Sequence, residues 1–276
     1  MKPQSVNRAF AGYAFDLDGT LHIDGKPLPH AVETVARIRA GGGRVVFVTN
    51  KPLQTAADYA TELMAMGIPA VAADVVTALD SLLLYLAENR AGATILPIAE
   101  PLVAEILRGA GYPITDNPSE AQVVVVSFDR TFDYAKLNAA YRAVRLHGAG
   151  LVATNPDPYC PTADGGIPDC RAMLAAIEAC TGATAEAVLG KPSRYMAGAV
   201  LERLGVPVSA AAMVGDRLAT DMVMAKSIGV AAVLVLGGAT SQADLERATT
   251  RPDYVIAGLH QLVPAGYQAP AASPQR

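Results

Sequence analysis

Cysteine is scarce: Cys160, Cys170 and Cys180 are odd in number and none stands in Cys-x-x-Cys spacing. That supports neither a disulfide framework nor a zinc site, and the three read as small, partly buried, reduced thiols. Long apolar runs are also missing. Although 51% of the 276 residues are hydrophobic and the mean hydropathy is +0.27, the longest runs, 123–126 and 230–236, are strand-sized and far short of a spanning helix. Residues 1–10 carry Lys2, Asn7 and Arg8 with no apolar core, so no secretory signal is expected and the cytoplasm is the expected compartment. A basic excess is lacking as well. The formal charge is -4 and the pI about 5.6, which excludes the electrostatic footprint of a nucleic-acid binder. No internal repeat of fixed period occurs.

What is present is a set of polar residues, each placed where an apolar run ends. Tyr13, Ala14 and Phe15 lead into Asp16-Leu17-Asp18-Gly19-Thr20, a pattern that reads as a buried strand leaving the core at two carboxylates and a Gly. Residues 44–49 form a second apolar run ending at Thr49-Asn50, and 211–214 a third ending at Gly215-Asp216, with Asp221 shortly after. Gly190-Lys191-Pro192 opens a helix over 193–204. Between the first two runs, 31–40 has helical spacing and Gly41-Gly42-Gly43 stops it. Strand, helix and strand with short links imply a parallel crossover, hence an open parallel α/β sheet whose carboxyl edge gathers these residues.

The chain also predicts helices over 55–66 and 74–86, then a segment of about 91–182 with strands and helices of its own: 94–98, 101–107, 122–128, 134–146, 151–154 and 170–179. That segment is long enough to be a domain. The first rhythm resumes with helix 221–228 and strands 230–236 and 254–256, and the tail from Pro264 reads as disordered.

If the strand ends converge, Asp16, Asp18, Asp216 and Asp221 face one lysine, Lys191. So many carboxylates repel one another, and a hard cation with oxygen ligands, Mg²⁺, is the usual remedy. Phosphoryl transfer suits these parts. Asp16 attacks phosphorus, Lys191 and the Thr49 hydroxyl meet the phosphate oxygens, and Asp18, crowded by carboxylates, holds the proton for the leaving oxygen.

Asp16-Leu17-Asp18-Gly19-Thr20, Val48-Thr49-Asn50, Gly190-Lys191-Pro192-Ser193 and Val214-Gly215-Asp216-Arg217 with Asp221 resemble the four motifs of the haloacid dehalogenase (HAD) superfamily in its phosphatase branch. The long segment, with Ala153-Thr154-Asn155-Pro156-Asp157-Pro158, is similar to class IIA members with a type C2 cap, the NagD-like and p-nitrophenyl phosphatases. The resemblance implies a Rossmann-like core in 1–78 and 183–263, an inserted α/β C2 cap in 79–182 and a tail in 264–276. It implies Asp16 as nucleophile and Asp18 as acid and base, Thr49, Asn50 and Lys191 as phosphate-binding groups, and Asp16, Asp18, Asp216 and Asp221 as the Mg²⁺ set. Asn155, Asp157, Tyr159 and Cys160, on the cap loop, are implied substrate contacts, and two caps are implied to pair in a homodimer. The chain departs from the pattern at Lys51-Pro52, which can add positive charge beside the phosphate, and at Asp169-Cys170.

The expected activity is Mg²⁺-dependent hydrolysis of a small phosphate ester: a sugar phosphate, nucleoside monophosphate, phosphoglycolate or pyridoxal phosphate. Two alternatives stay open. One is 2-haloacid dehalogenase chemistry, in which the carboxylate attacks carbon without a metal. The other is a non-catalytic phospho-acceptor module.

Overall fold

The computed structural model describes residues 2–162 and 164–271. Two parallel sheets organise them. The larger has six strands in the spatial order Tyr254–Ile256, Ala231–Val235, Ala211–Gly215, Gly12–Asp16, Arg44–Thr49 and Val75–Thr77. Gly12–Asp16 is central and parallel to both neighbours, with Phe15 opposite Val214 on one side and Phe47 on the other. From it the chain winds outward one way through Arg44–Thr49 and, much later, the other way through Ala231–Val235. Such a reversal leaves a crevice outside the strands' carboxyl ends.

Both faces of this sheet are covered, which is why its strands read as nearly unbroken apolar runs. Side chains alternate across a strand. Tyr13, Phe15 and Phe47 point into a cluster that includes Val35, Ile38 and Leu63, from helices Ala31–Ala40 and Ala56–Ala65. Ala14, Val46 and Val48 point the other way, into a cluster with Met196, Val200 and Ala225 from helices Arg194–Leu204 and Val223–Ile228.

The second sheet has four parallel strands in the order Ala187–Val188, Gly150–Ala153, Val123–Val126 and Ile95–Ile98. It too is packed on both faces, by Leu82, Leu86 and Val103 on one and by Ala140, Leu174 and Ile177 on the other. Ala187–Val188 pairs with Gly150–Ala153, so this sheet runs past residue 182, where the insertion was expected to end.

Two expectations are corrected. Residues 75–77 are not helical: Val75–Thr77 is the edge strand beside Arg44–Thr49. The helix starts only at Ala78, where Thr77 and Asp80 form reciprocal capping bonds. The tail from Pro264 is ordered as far as the described residues reach, and 272–276 lie outside them. Tyr267 is 6% exposed, its ring against Tyr13 and its hydroxyl donating to the Phe10 carbonyl at 2.5 Å. The sequence signal was poor because one aromatic anchors an otherwise small and polar segment. Tyr267→Ala should therefore destabilise the protein by about 3 kcal/mol, as for other buried aromatic truncations. Chemical denaturation measures this, and a change of only a few tenths would contradict the anchoring.

Cys160 and Cys170 are buried and Cys180 is exposed, all as free thiols. Among the described residues no helix is long and apolar enough to cross a membrane.

Candidate active site

Each acidic residue owes its position to a strand end. Asp16 closes the central strand, and Asp216 directly follows Ala211–Gly215 beside it. Asp221 lies in the helical turn Leu218–Met222 that comes next. Gly19 permits the close approach of the two loops. Its φ is +88°, and a Cβ there would collide with Asp216 Oδ2, so only Gly suits the position.

Lys191 is 3% exposed and reaches this group from the opposite loop. Its Nζ pairs with Asp16 Oδ1 and lies 2.8 Å from Asp221 Oδ1. Burial works against the ammonium, but Asp16 and Asp221 outweigh it and hold Lys191 above its usual range. The other oxygen of Asp16 accepts from Thr20 Oγ1 at 3.0 Å, so the carboxylate is gripped from both sides.

Among the described residues, Asp16, Asp216 and Asp221 form the one group of three potential metal ligands in which one carboxylate oxygen from each lies within 4.8 Å of the other two. Burial, then repulsion from Asp16 and Asp221, pushes the Asp216 carboxyl up to about 8. Burial likewise pushes Asp221 up to about 6, although Lys191 works in the opposite direction. Asp216 Oδ2 accepts from the Ala239 N–H at 2.6 Å, whereas Oδ1 is buried without a hydrogen-bond partner. An orphaned buried acceptor beside two more carboxylates fits a divalent cation that takes oxygen ligands.

Asp18 does not join that cluster. It was expected to be crowded by carboxylates, but its Oδ1 turns to Lys51 Nζ at 3.3 Å. Thr49 is buried at the end of its strand, and its Oγ1 accepts from the Lys51 N–H at 3.1 Å. The Asn50 carboxamide is fully engaged. Its oxygen accepts from the Lys191 N–H at 2.6 Å, and its nitrogen donates to Asp157 Oδ2 at 2.8 Å and the Lys191 carbonyl at 3.3 Å.

The cap-loop residues divide. Asp157, Tyr159 and Cys160 line the same cleft as Asp16, Asp18, Thr49 and Lys191. Asn155 is fully buried and is not on the cleft wall. Its Oδ1 accepts from the Asp157 N–H at 2.9 Å and its Nδ2 donates to the Asn50 carbonyl at 3.1 Å, so it shapes the loop in the manner of an Asx turn.

Arg217 and Asp169 on the cleft wall, and the fully buried Thr20 behind it, are further residues whose part the sequence did not assign. Arg217 donates to Asp157 Oδ1 and to the Tyr159 carbonyl, both at 3.1 Å, and its guanidinium covers the Tyr159 ring at 5.0 Å. Asp169 caps helix Cys170–Thr181, and burial pushes its carboxyl up to about 7. Thr20 holds Asp16. Arg217 and Thr20 sit inside the quoted motifs, which was the available signal. For Asp169 the signal was the departure at 169–170.

A family profile described as haloacid dehalogenase-like hydrolase matches residues 13–113, and one described as HAD-hydrolase-like matches 188–262. Sugar-phosphatase AraL of Bacillus subtilis is 32% identical over 246 residues, 89% of this chain and 89% of that protein. The 4-nitrophenylphosphatase of Thermotoga maritima superposes with a TM-score of 0.84 at 34% identity, covering 91% of this chain and 95% of the other. A glycerol phosphate phosphatase of Mycobacterium tuberculosis, solved in complex with magnesium, gives 0.83 at 32% identity, covering 94% and 78%.

Proposed function

The chain belongs to the haloacid dehalogenase-like hydrolases, in the branch of the p-nitrophenyl phosphatases, and on that premise we propose how its residues hydrolyse a phosphate ester. It is a phosphatase of small phosphoric monoesters. The observation that carries the assignment of roles is the buried Asp16 carboxylate, held by Lys191 next to Asp216, whose Oδ1 has no partner.

Asp16 bonds to phosphorus as the bond from phosphorus to the ester oxygen breaks, giving an aspartyl-phosphate. Asp18 delivers its proton to the departing oxygen, so an alcohol leaves. The Asp18 carboxylate then takes a proton from water whose oxygen bonds to phosphorus. The bond to Asp16 breaks, and inorganic phosphate and the starting carboxylate result. Thr49 and Lys191 meet the phosphate oxygens, while Asn50 acts through its neighbours by fixing the loop of Lys191 against Asp157. Asp16, Asp216 and Asp221, with Asp18 beside them, would hold Mg²⁺. When bound, the ion neutralises charge on the phosphoryl group and on the crowded carboxylates.

Residues from about 79 to the end of strand Ala187–Val188 act in this reading as a cap over the core formed by the rest. Asp157, Tyr159 and Cys160 present it to the substrate. Exposed Tyr134 and Leu146 on the cap support its use in a homodimer; sedimentation that finds only monomer at all concentrations would contradict that part.

The test is phosphate release across a panel of small esters. Turnover of at least one, lost with chelator and restored by Mg²⁺, is expected; no turnover across the panel would overturn the reading. Halide release without Mg²⁺ would instead favour carbon attack, and a long-lived phosphoprotein without turnover a phospho-acceptor.

Protons compete for the metal site. Because Asp216 and Asp221 are raised to about 8 and about 6, metal-free protein has their stabilising protonated forms fully in place below about pH 4 and loses that contribution as pH rises through those values. The increment in Tm produced by Mg²⁺ should therefore grow between about pH 5 and about pH 8. Thermal melts with and without the ion decide it, and an increment that is flat or shrinks would contradict the cluster's role.

A further inference from the structure

Every cation on the cleft wall already has an acid opposite it. Lys191 pairs with Asp16, Lys51 with Asp18 at 3.3 Å and Arg217 with Asp157 at 3.1 Å. The wall carries a fourth carboxylate, Asp169, which joins no ion pair among the described residues. It belongs to the cap, as the N-cap of helix Cys170–Thr181, and is only 4% exposed. Its two oxygens differ. Oδ1 accepts from the Cys170 N–H at 2.5 Å and from Asn155 Nδ2 at 3.4 Å. Oδ2 accepts from no donor among the described residues and is not sealed off from the cleft. Capping the helix therefore occupies one oxygen and leaves the other to the cavity. Burial pushes the carboxyl up to about 7, and neither the Cys170 N–H nor Arg217 brings it back to the ordinary carboxylate range.

Where the alcohol of an ester lies follows from the phosphatase reading, on which this inference rests: with the phosphoryl group at Asp16 and Lys191, the alcohol faces the cap wall. A phosphate dianion and Mg²⁺ bring equal and opposite charge, so filling the phosphoryl site gives Asp169 no cation. A buried charge without a partner is costly, and a ligand that supplies one gains a charge-assisted bond that the protein itself does not make. We propose that Asp169 selects phosphate esters whose alcohol carries an ammonium group a few bonds from the ester oxygen, the phosphorylated short amino alcohols. The ammonium donates to Asp169 Oδ2. Lys51 and Arg217 do not take its place, because Asp18 and Asp157 hold them. A hydroxyl in the same position donates without bringing a charge, and a second anion on the alcohol is repelled.

The experiment is calorimetric titration of the protein in MgCl₂ with 3-aminopropylphosphonate and 4-aminobutylphosphonate, unhydrolysable stand-ins for the esters, each against the compound with a hydroxyl in place of the amine. In at least one pair the amine should bind at least about tenfold more tightly. Asp169→Asn should bring that ratio to near one, and so should Asp169→Ser. Both residues cap helices as well as Asp does, so neither substitution costs the helix its cap. A ratio near one in the unsubstituted protein, or a ratio that survives both substitutions, would overturn the proposal; survival with an equal fall for both ligands would mean that Asp169 only shapes the cap. Turnover of p-nitrophenyl phosphate by the unsubstituted protein tests the underlying reading separately. Turnover without amine preference sinks the role of Asp169 alone, and amine preference without turnover sinks the phosphatase reading.

Discussion

Replacing Asp16 by Asn is expected to lower phosphate release by at least about 10⁴-fold, the order lost when a catalytic nucleophile is removed. The side chains are nearly isosteric, so Thr20 and Lys191 keep partners of the same shape. One of the three crowded carboxylates disappears, which relieves the repulsion felt by Asp216 and Asp221. The folded protein should hold its Tm or gain. Steady-state rates and a thermal melt on the same preparation separate the two effects. A loss of activity accompanied by a large fall in Tm would mean that Asp16 is chiefly structural, and a mild loss with normal stability would mean that another group attacks.

Lys191→Met is expected to damage both function and fold. Lys191 is 3% exposed and lies between Asp16 and Asp221. Removing one partner of a buried pair leaves an uncompensated charge and costs about 3–5 kcal/mol, which for a domain of this size is about 10 °C in Tm. Activity should fall about 10³-fold as well, since in the proposed reading the ammonium meets the phosphoryl oxygens. The two losses respond differently to Mg²⁺. The ion would offset the uncompensated buried carboxylates and should recover part of the stability, but it cannot supply the ammonium donor that Lys191 brings to the phosphate in the proposed reading. Thermal melts and initial rates over a Mg²⁺ series test this. Full recovery of rate at high Mg²⁺ would contradict a direct role for Lys191.

The site was readable in the sequence to the extent that it depends on strand ends. Tyr13-Ala14-Phe15 and 45–49 are buried on both faces, so their apolar runs announce themselves, and the end of each run falls at the sheet's carboxyl edge. Asp16, Thr49 and Asp216 came into view in that way. Val75–Thr77 did not, because three residues before a strong capping box look like the first turn of the helix that follows. Contacts across the chain were equally hidden. The bond from Asn50 to Asp157 joins residues 107 positions apart, and no local pattern indicates that the Asn50 carboxamide holds a loop. The partner of Lys51 was hidden for the same reason. The departure at Lys51-Pro52 showed where charge is added, but that it meets Asp18 is a product of how the two loops fold back over Thr49.

Cap-loop residues show a further limit. Asn155, Asp157, Tyr159 and Cys160 are consecutive enough to suggest a shared wall, yet an Asx turn sends Asn155 inward while the next three positions named reach the cleft. Side-chain direction in a loop is set by such local bonds and is not periodic, so spacing alone cannot reveal it.

The most direct test of the account is to stop turnover with borohydride, which reduces an aspartyl-phosphate to homoserine, and to locate the modified residue by mass spectrometry after digestion. Homoserine at position 16, formed only when ester and Mg²⁺ are both present, is the predicted result. Sustained turnover with reduction at another acidic residue, or at none, would contradict it.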